Sequence, residues 1–235
     1  MNSGEPMAQG KQKLVIVGDG ETAQIAYEYF TMDSKWEVAA FAVESQFLTK
    51  RKLQDLPVVA FEDLEKEYNP QDFGAFVAVS YTQLNRVRAR LYRAVRQKGF
   101  STPSYVSSKA FVWRTASIGD NCFILEGNVI QHGVKVENNV VIWSGNHIGH
   151  QTQIRPNCYI ASHVVISGFC EIGENCFLGV NSCLADRVRI AEDCIIGAGA
   201  VVLKDTEPGK VYVGNPARAL EKSSYDAFGV KETNR

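Results

Sequence analysis

The sequence predicts a chain in two parts: an α/β domain with a small, mainly parallel sheet, then an all-β parallel helix wound from six-residue repeats. Two observations predict this. Short apolar runs alternate with helical ones over residues 13–99, and aliphatic residues then recur at every sixth position over 118–202. The period changes near Tyr105. The 235 residues thus divide into a disordered N-terminus (1–12), a Rossmann-like domain (13–104), a coil domain (105–207) and a C-terminal cap and tail (208–235).

In the first part, residues 14–17 read as a buried strand, 22–30 as a helix, 38–43 as a second strand and 76–79 as a third. Over 82–98, Leu84, Val87, Leu91 and Val95 share one helical face, and Gly99 ends the run. Gly18-Asp19-Gly20-Glu21-Thr22-Ala23 follows a strand and opens a helix, which presents backbone N–H groups to a phosphate. Glu44, at the end of the second strand, is placed to meet a ribose or base. Ser80, Tyr81 and Thr82 either complete the pocket or cap the next helix. Arg86, at the start of that helix, is within reach of a phosphate, while the arginines after it read as a solvated face.

In the second part the sixfold series begins Ile118, Ile124, Ile130, Val136, Ile142, Ile148 and ends Ile190, Ile196, Val202, with no polar member. An α-helix, at 3.6 residues per turn, would scatter these side chains around its circumference. A ribbon of short strands joined by tight corners keeps them on one side. Three hexads close a coil of eighteen residues, and coils stack at the ~4.8 Å spacing of paired strands. A second column four places on is mostly small, β-branched or thiol. Cys122, Cys158, Cys176 and Cys194 stack within it and read as reduced thiols packing the core, because ligands strung along an axis do not converge on a metal. Asn128 and Asn146 also stack, and an amide ladder is expected to satisfy them.

A net charge of −1 gives no electrostatic pull toward nucleic acid or an anionic membrane. No apolar run reaches the ~20 residues that span a bilayer, and the first ten residues lack the pattern of a signal peptide. The expectation is a cytoplasmic protein whose partners are small molecules or other chains.

The hexad array, the segment Asn175-Cys176-Phe177-Leu178-Gly179-Val180-Asn181-Ser182-Cys183 and the closing Gly214-Asn215-Pro216-Ala217 resemble the hexapeptide-repeat acyltransferases. With the α/β domain in front, residues 13–218 resemble the branch that acetylates nucleotide-linked amino sugars, as in bacillosamine and perosamine synthesis. The resemblance implies a left-handed helix and a homotrimer with active sites between subunits. It also implies acetyl-CoA lying along the coil as acyl donor, no metal, and a nucleotide-linked amino sugar held at Gly18, Asp19, Gly20, Glu21, Glu44, Ser80, Tyr81 and Arg86.

All four histidines, His132, His147, His150 and His163, fall in the coil. Transfer from a thioester needs a base for the attacking amine, and imidazole titrates near neutrality. Within Asn146-His147-Ile148-Gly149-His150, the resemblance places His150 at the general base. His132, one coil earlier in the same column, either supports it or lines the corner. His147 reads as packing or chemistry, and His163, in a column with Gly127, Gly145 and Gly199, as a substrate or interface contact. The resemblance departs at Gln151, where that branch has an acidic residue, and at Tyr159, where it has a further histidine. Gly168, Val180 and Ala198 match positions that hold the pantetheine arm through backbone groups, and Lys204 is either a coenzyme-phosphate contact or a solvated lysine. An O-acetyltransferase acting on a sugar hydroxyl, and a zinc-dependent carbonic anhydrase on the same scaffold, are the alternatives.

Overall fold

The structure, a computed structural model, describes residues 12–231. The disordered segment expected over 1–12 lies, apart from Gln12, outside the described residues. The apolar strand cores Leu14, Ile16, Phe41 and Phe76 are fully buried in a sheet of order β3-β4-β2-β1-β5. Its strands are β1 (Gln12–Val17), β2 (Trp36–Val43), β3 (Lys52–Leu53), β4 (Leu56–Ala60) and β5 (Phe73–Val77), and its helices α1 (Glu21–Met32), α2 (Leu64–Glu67) and α3 (Arg86–Gln97). All pairings are parallel except β3 with β4. Strand order runs outward in opposite directions from β1, so the carboxyl ends of β1, β2 and β5 leave a crevice at a topological switch point.

Three local expectations are corrected. The third strand is β5, earlier than 76–79, because Lys13 pairs with Phe73 and Val17 with Val77. The hairpin of β3 and β4 was not read at all; Gln54 and Asp55 turn it with φ of 50° and 60°, without the glycine that usually announces such a turn. The third helix starts at Arg86, not at residue 82, because Gln83, Leu84 and Asn85 all have left-handed φ (51°, 50° and 64°). Ser80 and Thr82 do not cap it; their hydroxyls are 3.3 Å from each other.

From Tyr105–Val106 to Val201–Val202 the chain forms seventeen two-residue rungs. All but the last three pair in parallel with the rung eighteen residues on, as Val129 does with His147 and His147 with Val165. The sixfold aliphatic column fills the axis, and Ile124, Ile142, Ile160 and Leu178 are 0% exposed. From Asn121 to Gly199, every sixth residue turns a corner with φ between 52° and 77°. This is why asparagine and glycine recur there: both tolerate the left-handed region.

The prism has three faces of different chemistry. Tyr105, Phe123, Val141, Tyr159, Phe177 and Ile195 point outward from the first, where they pack against the α/β domain, Ile195 through Leu84. Phe111, Val129, His147, Val165, Cys183 and Val201 line the second, without a charge. Ser117, Lys135, Gln153, Glu171 and Arg189 make the third polar.

The α/β domain straddles the first face. On one edge, the Tyr29 hydroxyl donates to Glu126 (2.7 Å) and Asp33 accepts the Ser108 N–H (2.8 Å). On the other edge, Arg86 pairs with Asp193 (2.6 Å) and Asn85 donates to the Asn175 carbonyl (3.3 Å). The strand Lys210–Val213 then extends the first face, and Arg218–Ser223 folds back on it.

The buried cysteines are free, and their thiols donate to backbone oxygens, as Cys122 does to Glu137 (3.1 Å) and Cys176 to Ala191 (3.1 Å). Burial pushes the Cys122 and Cys194 thiols up to about 11. Asn128 and Asn146 are satisfied by backbone rather than by an amide ladder: Asn128 Oδ1 accepts the Asn146 N–H (3.0 Å) and Asn146 Oδ1 the Val164 N–H (2.7 Å). Among the described residues, no helix is long and apolar enough to cross a membrane.

Candidate active site

The turn after β1 closes tightly because Gly18 has φ of 129° and a Cβ there would lie 2.7 Å from the Ala78 carbonyl oxygen. Gly18, Asp19, Gly20 and Glu21 line a cleft of about 670 Å³, together with Glu44, Ser80 and Tyr81. Seven of the eight residues expected to hold a nucleotide-sugar therefore meet in one place. Arg86 stands apart, in an adjoining basic cleft with Arg90 and Arg93, and it is paired with Asp193. Arg90 holds the Glu44 carboxylate through two bonds of 2.9 and 2.8 Å.

Two coil residues complete the cleft wall, Trp143 and Tyr159. The Trp143 indole N–H donates to the Tyr159 hydroxyl. Tyr159 stacks on Phe177 (centroids 5.5 Å apart, 12° between planes) and meets the Tyr81 ring at 5.0 Å. Burial pushes the Tyr159 phenol up to about 12, so it stays protonated at neutral pH. Trp143 was missed in the sequence; the signal was a tryptophan in a column otherwise held by Leu125, Ala161, Gly179 and Gly197.

His150 sits elsewhere, exposed on the corner between the second and third faces. Its backbone N–H donates to Gln131 Oε1 (2.9 Å), a further residue the sequence reading missed. A Cβ on Gly168 would come within 2.6 Å of the imidazole, so glycine is what admits the ring. On the same corner, His132 Nδ1 lies 2.7 Å from Thr115 Oγ1, and Gln151 turns its amide toward Gly133. Lys204 follows the last rung in the column of His150 and is exposed.

The remaining candidates disperse. Asn146 is buried in the coil, its side chain held by backbone. His147 is half-buried in the middle of the uncharged face. His163 lies on the edge nearest the cleft, with Val180 and Ala198, both exposed. Gly127, Gly145 and Gly199 share its column because the corner needs positive φ, and the His163 ring itself fills the space above Gly145. Among the described residues, no three His, Cys, Asp or Glu side chains converge as a metal site would require.

The profile of the bacterial transferase hexapeptide (six repeats) family matches residues 115–150, 135–168 and 169–204. Residues 115–204 thus carry the hexapeptide repeats of that family. No curated protein matches by sequence. Among solved structures, the acetyltransferase domain of PglB from Neisseria gonorrhoeae is 24% identical, covers 89% of this chain and 100% of its own, and has a TM-score of 0.80. PerB from Caulobacter crescentus, solved in complex with CoA and GDP-perosamine, is 26% identical over 88% of this chain and 97% of its own, with a TM-score of 0.78. WeeI from Acinetobacter baumannii shares the fold at 19% identity, 88% and 99% coverage and a TM-score of 0.62. The coil is left-handed, and the two-part plan is the fold that these structures share.

Proposed function

We propose that this chain is an acetyl-CoA-dependent N-acetyltransferase acting on a nucleotide-linked amino sugar. The glycine turn and the cleft of Trp143, Tyr159 and Glu44 hold the nucleotide-sugar, as the phosphate-facing N–H groups and the ribose-facing carboxylate favour. The sugar amine attacks the thioester carbonyl, a C–N bond forms as the C–S bond breaks, and His150 takes the amine proton and returns it to the departing thiolate. The same proton transfer serves a hydroxyl acceptor.

The observation that carries the reading is an uncharged face with the cleft along one edge and His150 at the other. One hexad separates those edges, at most ~20 Å of extended chain. Gly168 lies beside His150, whereas Val180 and Ala198 lie on the cleft edge, so the residues expected along the coenzyme are divided between the same two edges. A homotrimer, in which a neighbour covers each uncharged face, joins one chain's cleft to another chain's His150 and leaves a channel for acetyl-CoA between them.

The test is thiol release from acetyl-CoA against a panel of nucleotide-linked 3-amino and 4-amino sugars. His150→Ala is expected to lower turnover by about 10²–10⁴-fold while leaving the melting profile and coenzyme binding intact. Wild-type turnover in that variant would remove His150 from the mechanism.

A further inference from the structure

What orients the imidazole of His150 is not apparent from hydrogen bonds: among the described residues no side chain bonds to the ring, and Gln151, which stands where an acidic residue would follow the base, turns toward Gly133. The corners offer a different answer. Of the fourteen left-handed corner residues between Asn121 and Gly199, only Gln151, His163, Phe169 and Arg187 are neither glycine, asparagine nor aspartate. Three of these four stack on the edge that carries His150. An unfavourable backbone kept beside a reactive group points to a side chain that is needed there.

Phe169 is the clearest case. Its φ is 57°, an outlier for a bulky residue, and the residue is 43% exposed, so core burial does not account for it. The Phe169 N–H donates to the His150 carbonyl (2.8 Å). Its ring meets the imidazole with centroids 4.9 Å apart and planes at 82°, and the Arg187 guanidinium lies 4.3 Å from the same ring centroid. Gly168 leaves no side chain to push the imidazole away.

We infer that Phe169 is a positioning residue whose ring, aimed by the left-handed corner and backed by Arg187, holds the His150 imidazole in the orientation needed for proton transfer. Packing against an aromatic edge restricts the ring where no carboxylate does so. This rests on His150 being the base, and the experiment separates the two.

Phe169→Gly suits the backbone, so it deletes the ring without straining the corner. With acetyl-CoA and the amino-sugar nucleotide that wild type acetylates fastest, Phe169→Gly is expected to lower kcat about 10–100-fold, with KM for acetyl-CoA and Tm unchanged. Phe169→Tyr, which keeps the ring, is expected to restore kcat. Wild-type kcat in Phe169→Gly alongside an inactive His150→Ala would overturn the inference and leave the base in place. An equal loss in Phe169→Tyr, or a loss confined to KM, would also overturn it. Activity in both Phe169→Gly and His150→Ala would instead remove the base and, with it, the inference.

Discussion

Arg88 is 1% exposed, and its guanidinium is the polar centre of the junction between helix and coil. Nε donates to Asn139 Oδ1 and one terminal nitrogen to the Asn121 carbonyl, both at 2.8 Å. Asn121, Asn139 and Asn157 continue the network as an amide chain with steps of 2.8 Å, ending on Glu174 at 2.9 Å. Burial pulls the Arg88 pKa down to about 10, which still leaves it charged at pH 7. The charge is tolerated because its donors are met. Arg88→Met removes those donors and leaves buried acceptors unpaired, at a cost of about 3 kcal/mol. The midpoint of urea unfolding is therefore expected to fall; a midpoint equal to wild type would show that other groups take over the acceptors.

The α1 helix is fastened to the coil at its C-terminus by Asp33. Its carboxylate accepts the Ser108 N–H (2.8 Å) and the Tyr105 hydroxyl (2.7 Å), and these bonds, the Ser108 contribution being the largest, hold it below the usual carboxylate range. A depressed folded value means the contribution is present above the unfolded pKa of ~3.9 and is lost as pH falls through the folded value. Wild-type Tm is expected to drop below about pH 4 more steeply than that of Asp33→Asn, whose stability is lower at neutral pH. Parallel acid limbs would rule Asp33 out as a contributor. At the other side of the domain, the left-handed segment Gln83, Leu84 and Asn85 is held by tertiary contact: Leu84 is 0% exposed against Ile195, Val211 and Val230. That contact, not local preference, fixes where α3 begins, and with it the position of Tyr81 in the cleft.

At the scale of the molecule, the three faces assign three environments: one under the α/β domain, one in water, and one uncharged and open. Val165 is 43% exposed in the middle of the open face. A carboxylate there would be buried without a partner if a neighbouring subunit covers it. Val165→Glu is expected to yield monomers by light scattering, with turnover lost although each chain remains folded. Because base and cleft would then come from different subunits, mixed trimers of His150→Ala with an inactive cleft variant such as Gly20→Glu are expected to regain part of the activity. Trimers of Val165→Glu, or mixed trimers that stay inactive, would argue against a shared site.

The sixfold column from Ile118 to Val202 determined the coil by itself, since a repeat of six fits short strands and corners and no helix. The glycine turn was legible for the same reason: Gly18 answers a local demand on φ and on space. The corner column was equally visible as recurring asparagine and glycine, but its exceptions, Phe169 among them, acquire meaning only once the backbone angle is known. Trp143, Gln131 and Arg88 depend on which neighbour reaches them across a coil or from another domain, and such long-range contacts leave no spacing in the chain. The start of α3 was misplaced because tertiary packing outweighs helix propensity over three residues. Periodic, local requirements are written into the order of residues; which edges of the prism carry the cleft and the histidine was decided by how the two parts dock.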